Sequence, residues 1–251
     1  MLCKPFVVVV AISLITGGSF AIDCYPERVV DTQDCHAAMS QIVYNQDQTL
    51  SPVSKTLGYI SGNCSVILVN LNGVPLTRER IETGFDQILE KCQPHAGGGN
   101  LPQNEDVFLN IGNRGEGTYQ PYESDFPPLK ETCGLNKNAP DTQKDDCKKA
   151  YTSIPLGVDG QFLDDKHEKN WMIQNTYQTC TMILYTSDRS DIVANNEDVR
   201  PVFDKLLSKC KGKSGVVKLP KGAQGPNGRL FLKTRSSLRC GVQDAHKQIC
   251  F

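Results

Sequence analysis

Hydrophobic and polar positions recur in the same order in two halves of the chain. Residues 34–42 and residues 146–154 both follow the pattern D-C-x-x-A-x-x-x-I. Alanine and isoleucine four residues apart lie on one face of a helix. Each half is therefore predicted to begin with an amphipathic helix, and Asp34 is the expected N-cap of the first one.

The correspondence continues through the rest of both halves. Residues 64–69 match 180–185, residues 85–92 match 203–210, and residues 107–110 match 230–233. The matched positions are cysteines and apolar residues, whereas the polar positions have diverged. The pattern indicates a duplicated folding unit with no polar active site common to both copies.

Each copy is predicted to run strand–helix–strand–strand–helix–strand. The first copy has expected strands at 28–30, 55–60, 64–71 and 107–111, with helices at 34–42 and from the capping residue Thr77 to Cys92. The second has helices at 144–154 and 196–210 and strands at 171–177, 180–186 and 229–235. This order predicts an α+β fold of two tandem ferredoxin-like (βαββαβ) disulfide-bonded domains.

The amino terminus has the pattern of a secretory signal. Lys4 precedes an apolar run at residues 6–15, and Ala21 ends a small-x-small cleavage site. The predicted divisions are a signal peptide at 1–21, a first repeat at 22–112, a linker at 113–130, a second repeat at 131–235 and a disulfide-bearing tail at 236–251. A formal net charge of −1 indicates neither nucleic-acid binding nor a polybasic membrane surface.

The chain has 11 cysteines, and Cys3 leaves with the signal. An even number in an exported chain indicates disulfides, although four cysteines per copy allow three connectivities. The preferred set is Cys24–Cys92, Cys35–Cys64, Cys133–Cys210, Cys147–Cys180 and Cys240–Cys250. Without a C-x-x-C pair, a zinc site is disfavoured, so neither a metal nor a cofactor is expected.

Sequence motifs for catalysis are absent, and the four histidines stand far apart. His36 is expected on an exposed helical face; His95, His167 and His246 lie outside the predicted helices. An acid–base ribonuclease would need two of them within hydrogen-bond reach. Asn63 begins a formal glycosylation sequon, which is disfavoured because its middle residue is a predicted half-cystine.

Three of these patterns resemble the small secreted cysteine-rich effectors of fungi, in particular the killer-toxin-like and necrosis-inducing group. They are the helix at 34–42, the G-x-C-x-V-x-L strand at 62–68 and the G-x-N-G-x-L strand entry at 225–230. The pattern of the second helix is similar too, and the resemblance covers both copies, at about 24–112 and 133–235. The resemblance implies a secreted virulence protein that binds a host or competitor target, usually without catalysis. The chain departs from single-domain members by its duplication, and it has no dibasic processing site between the copies.

The resulting functional prediction is a secreted, non-enzymatic, monomeric effector that inhibits an extracellular host protein. A plant papain-like cysteine protease in the apoplast is the specific expectation, although no Q-x-V-x-G inhibitor loop is present. The alternative is a toxin with ribonuclease-like or membrane-damaging activity. The protein is expected neither to bind nucleic acid nor to insert stably into a membrane.

Contact with the target is expected in loops that the two copies do not share. The glycine-rich segment after the second helix permits close backbone approach, and the charged insert at 155–170 lengthens the second copy. The candidate binding residues are His95, Gly97, Gly98, Gly99, Asn100, Asp164, Asp165 and His167. A purely connecting role for the glycines is left open.

Overall fold

The computed structural model describes residues 21–114, 126–134 and 139–238. It contains two five-stranded antiparallel sheets, and two helices pack on each sheet. The predicted α+β class and the tandem disulfide-bonded arrangement are confirmed. Cys240–Cys250, His246, almost all of the predicted signal and most of the linker lie outside the described residues.

The two units have the same order of elements. The first consists of β1 (Ile22–Val29), α1 (Thr32–Met39), β2 (Thr56–Ser61), β3 (Cys64–Val69), α2 (Arg78–Cys92), β4 (His95–Leu101) and β5 (Asn104–Asn113). The second consists of β6 (Thr132–Cys133), α3 (Lys144–Thr152), β7 (Met172–Tyr177), β8 (Cys180–Thr186), α4 (Asn196–Cys210), β9 (Gly215–Leu219) and β10 (Leu230–Ser236).

Each unit has one strand more than the predicted βαββαβ order. The sheets run β1-β4-β5-β3-β2 and β6-β9-β10-β8-β7. The added strands are β4 and β9, and each forms an antiparallel pair with the strand that follows it. The hairpin β4–β5 separates β1 from β3, so β1 lies at one edge of the first sheet and β2 at the other.

The prediction of a loop at residues 95–100 is wrong, because these residues form most of β4. Gly97, Gly98 and Gly99 pair with β1 on one side and β5 on the other. Glycine gives no alternation of apolar and polar side chains, so the periodic pattern could not identify this strand. The glycines are required by close packing: a Cβ at Gly97 would lie 2.7 Å from the Cys92 sulfur.

The D-C motif of each copy ties the first helix to a hairpin. Asp31, rather than Asp34, is the N-cap of α1, and its side chain accepts from the Gln33 and Asp34 amides. Asp34 is instead the acceptor for the Asn63 amide at 2.9 Å, in the turn before β3. Asp31 caps the helix because it precedes the first turn, so its side chain can reach the amides there that have no partner within the helix.

Four disulfides hold the helices to the sheets. Cys24–Cys92 and Cys133–Cys210 fasten the second helix of each unit, whereas Cys35–Cys64 and Cys147–Cys180 fasten the first. These are four of the five pairs preferred from the sequence. Each closes a loop of 29 to 77 residues, which corresponds to a stabilisation of about 3.5 to 4.5 kcal/mol in the chain-entropy account.

A buried carboxylate anchors the segment before β6 to the second unit. Glu131 pairs with Lys205 at 2.8 Å and with Lys209 at 3.2 Å, both on α4. Its side chain is 3% exposed, whereas those of the lysines are 66% and 50% exposed. The hydrogen bond from Lys205 is the main cause that lowers the pKa of Glu131 to about 2.

We expect Glu131→Gln to lower the free energy of unfolding at neutral pH. The loss should be about 1 kcal/mol, because water screens the exposed lysine ends of the pair. A lowered carboxyl pKa stabilises the folded state above the unfolded pKa, near 4.5, and this contribution disappears as the pH falls towards 2. The difference between wild type and variant should therefore shrink in acid.

Urea unfolding at several pH values measures this difference. Asp141→Asn is the matched control, because Asp141 pairs with Lys213 with both side chains more than half exposed and should change stability little at any pH. A wild-type-to-Glu131→Gln difference that is the same at all pH values would show that Glu131 contributes through packing alone.

Candidate functional site

A groove of about 510 Å³ lies where the two units meet. Ligand sites in proteins have volumes of roughly 300 to 1,000 Å³. The first unit lines the groove with the turn after helix α1 and the edge strand β2. The second unit lines it with the start of the loop after β8, with β9, with β10 and with the loop before β10. The lining residues are Gln41, Gly58, Tyr59, Ile60, Ser187, Lys218, Asn227, Arg229 and Phe231.

A fully buried carboxylate, that of Asp188, holds the units together behind this groove. Its Oδ2 accepts a hydrogen bond from the Ser54 hydroxyl of the first unit at 2.7 Å. Its Oδ1 accepts from the Ser190 hydroxyl at 2.6 Å and the Ser190 amide at 3.1 Å. These three donors compensate for the loss of hydration that burial of a carboxylate entails.

The backbone at Asp188 also contacts the edge of the first sheet. Its carbonyl oxygen accepts from the amides of Lys55 at 2.8 Å and Thr56 at 3.1 Å. The Thr56 hydroxyl donates to the Ser187 carbonyl at 3.1 Å. The start of β2 is therefore fixed to the loop that follows β8.

Two glycines of the G-x-N-G motif leave room for the carboxylate. A Cβ at Gly225 would lie 2.0 Å from Asp188 Oδ2, and one at Gly228 would lie 2.3 Å from Oδ1. Both distances are far shorter than real contacts, so any larger residue would displace the loop or the carboxylate. The motif that resembled a strand entry thus forms part of the contact between the units.

Asn227 completes this contact with its side-chain amide. Its Oδ1 accepts from the Val43 amide and its Nδ2 donates to the Val43 carbonyl, both at 2.9 Å. The Tyr59 hydroxyl donates to the same Oδ1 at 2.7 Å. Burial raises the pKa of Tyr59, the nearby Arg229 opposes this, and Asp188 adds to it, so the hydroxyl stays protonated and remains a donor.

The wall formed by the second unit carries two cations and an aromatic ring. Lys218 and Arg229 are half-buried, and Phe231 is 2% exposed. The Arg229 guanidinium donates to the Gly228 carbonyl at 2.7 Å, which fixes the side chain near the backbone. Phe231 stacks on Tyr185 with ring centroids 5.0 Å apart.

These lining residues are suited to binding. They include two cations, hydroxyls, amides and an exposed strand edge, but no His, Cys, Asp or Glu. In the part of the chain that the structure describes, no three such side chains gather closely enough to hold a metal ion. The groove has the composition of a site for a polar or acidic ligand.

The binding residues predicted from sequence do not line this groove. His95, Gly97, Gly98, Gly99 and Asn100 belong to β4. Asp164, Asp165 and His167 lie in a turn of the second unit, where the Asp164 carboxylate accepts from the Lys166 and Glu168 amides. Hydrogen bonds from Glu168 and Asn170 lower the pKa of Asp164, which indicates a turn-forming role.

The insert that carries this turn is part of the folded second unit. Phe162 is 1% exposed and packs edge-on against Tyr151, with ring centroids 5.9 Å apart. His167 has a φ of 63°, a left-handed conformation that belongs to a tight turn. Its binding role remains a prediction.

The remaining histidine and the sequon have local roles. The Nδ1 atom of His36 lies 3.7 Å from a carboxylate oxygen of Asp86, and both side chains are exposed. Oδ1 of Asn63 accepts from the Asp31 amide at 2.8 Å, so this side chain also fastens α1 to the hairpin.

One sequence motif, G-x-N-G, pointed to a residue of the groove, but it did not show which residues of the first unit that residue contacts. The G-x-N-G motif places Asn227 and two glycines together, but its contacts Val43 and Tyr59 are 184 and 168 residues away. Ser54 is 134 residues from Asp188. Local pattern analysis cannot detect contacts over such separations.

Comparison with known proteins finds no matching family model and no curated protein similar in sequence. The similar solved structures include two tandem DUF26 ectodomains of Arabidopsis thaliana cysteine-rich receptor-like proteins. For PDLP5 the identity is 10%, the alignment covers 86% of this chain and 97% of that one, and the TM-score is 0.28. For PDLP8 the values are 13%, 87%, 98% and 0.29. TM-scores this low do not establish a shared fold.

The compartment follows from the chain's own chemistry. Four disulfides are typical of proteins that fold in an oxidising, extracellular environment. None of the helices within the described residues has the length and apolar character needed to span a membrane.

Asn227→Ala should destabilise the contact between the units. The change removes three hydrogen bonds and leaves the Val43 amide without its partner, so we expect a loss of about 1 to 3 kcal/mol in the free energy of unfolding. Urea unfolding measures the loss, and small-angle scattering should show a larger radius of gyration if the units separate.

Gln224→Ala, on the same loop, is the control, because the Gln224 side chain is exposed and its backbone bond to Asp191 is unaffected. In a double-mutant cycle with Tyr59→Phe, the two losses should be non-additive. Strict additivity would contradict a shared hydrogen-bond network.

Proposed function

We propose that the chain is an exported protein that binds another extracellular protein through the groove between its units, without turning it over. The observation that carries this proposal is the composition of the groove, which combines an exposed strand edge with two half-buried cations. A concave site with convergent polar groups is the usual form of a binding site.

Rigidity supports a role in binding. Four disulfides hold the helices to the sheets, and the contacts of Asp188 and Asn227 fix the units against each other. A partner that docks on such a surface orders few additional residues, so less of the interaction energy is lost to entropy. The groove is therefore pre-organised for a partner.

The finer proposal is a virulence effector of the fungal killer-toxin-like type, acting as a monomer on a host protein. Its support is the resemblance of the D-C helix, the cysteine-bearing strand and the G-x-N-G motif. A papain-like cysteine protease of the plant apoplast is the specific target proposed. The toxin alternatives, ribonuclease-like or membrane-damaging activity, are treated as outcomes of the same experiment.

We expect the purified protein to inhibit a papain-like protease stoichiometrically, with no RNA cleavage and no leakage from lipid vesicles. The measurements are residual protease activity during titration, the length of a labelled RNA and the release of a trapped dye. Arg229→Gln, which removes a cation from the groove, should weaken inhibition, whereas Gln224→Ala should not.

Catalytic RNA cleavage or vesicle leakage at low protein concentration would overturn the proposal of a binding protein. A stable complex with another extracellular host protein, without protease inhibition, would retain the binding function and reject the protease as target.

A further inference from the structure

We infer that the groove binds an extended acidic peptide segment of the partner, which adds as a sixth strand to the edge of β2. This inference rests on the proposed binding function and specifies the ligand of the same site. Addition of a strand to an exposed sheet edge is a known mode of peptide recognition, in which main-chain hydrogen bonds provide affinity.

The direction of the backbone groups in β2 can be read from its two ends. The Thr56 amide donates to the Asp188 carbonyl, outside the sheet. The Ile60 carbonyl accepts from Gln41 Nε2 at 2.8 Å, also outside the sheet. In an antiparallel strand the outward-pointing residues alternate, so the amide and carbonyl of Gly58 also point outward.

Gly58 is therefore the open position of this edge. It is exposed, lines the groove and has no inter-strand partner on its outer side among the described residues. A peptide residue opposite Gly58 would exchange two hydrogen bonds with it. The outward amide of Thr56 and the outward carbonyl of Ile60 have partners of their own, so the added strand pairs with β2 at Gly58, between these two contacts.

The other wall of the groove selects the charge of the peptide. Lys218 and Arg229 both line the groove, and no carboxylate lies among the lining residues. The Asp188 carboxylate is 0% exposed and accepts three hydrogen bonds within the contact between the units. An acidic side chain or a terminal carboxylate on the added strand would meet this positive wall.

Because Gly58 has no side chain, two substitutions at this position can separate the effect of the amide from that of added bulk. A Cβ at this position would be 3.9 Å from its nearest neighbours, Ile67 Cγ1 and the Val66 carbonyl, so alanine fits. Proline removes the outward amide without removing a bond to β3, and edge strands tolerate proline where the amide would face solvent. Gly58→Ala keeps the donor, and Gly58→Pro deletes it.

The experiment measures binding of the labelled peptide Glu-Thr-Val-Thr-Val-Thr-Val-Glu to the full secreted chain by fluorescence anisotropy. We expect saturable binding that weakens with added salt and is weaker for the amidated peptide with Gln in place of Glu. Gly58→Pro should lower the affinity about fivefold or more, the effect of one lost hydrogen bond, whereas Gly58→Ala should match wild type.

Circular dichroism and thermal unfolding establish that both variants are folded. If Gly58→Pro does not fold, amide NMR of wild type replaces it, and the Gly58 amide should become protected from exchange when the peptide binds. No saturable binding up to millimolar peptide, equal binding of the Gln peptide, or no change at Gly58 would overturn the inference. Capture of a target by Gly58→Pro with unchanged affinity would reject only the strand-addition mode and leave the proposed binding function standing.

Discussion

The burial of the Asp188 carboxylate is the constraint on which the arrangement of the two units depends. A buried carboxylate is tolerated only when donors replace its hydration. One of its donors, the Ser54 hydroxyl, belongs to the first unit, and the others come from Ser190 in the second. Because the donors are shared in this way, the carboxylate is satisfied only when the units are in contact.

This contact also creates the groove and determines its chemistry. The loop that holds Asp188 fixes one end of β2, and Asn227 reaches across to Val43 and Tyr59. The middle of the β2 edge lies between these two contacts, and it lines the same groove as Lys218 and Arg229. Asp188 and Asn227, which hold the two units in contact, are buried, whereas Lys218 and Arg229 in the groove wall are half-buried.

The disulfides and the contact between the units have separate roles. Each of the four disulfides lies within one unit, so they stabilise each sheet with its helices but do not join the sheets. The contact between the units depends on hydrogen bonds and packing. Substitutions at Gly225 and Gly228 would disturb this contact directly, because a Cβ at either position would meet the Asp188 carboxylate.

The repeated cysteine and apolar pattern determined the α+β class, the duplication and both helices of each unit, because these depend on local periodicity. The order of the cysteines allowed three pairings in each copy, and the structure has the preferred one. Strands β4 and β9 were not predicted, and in β4 the reason is that three consecutive glycines carry no periodic pattern. The N-cap of the first helix was predicted one turn too late. The groove was decided only by tertiary structure. Its contacts join residues 134 to 184 positions apart, and their chemistry appears only when two separately folded units bury a common carboxylate.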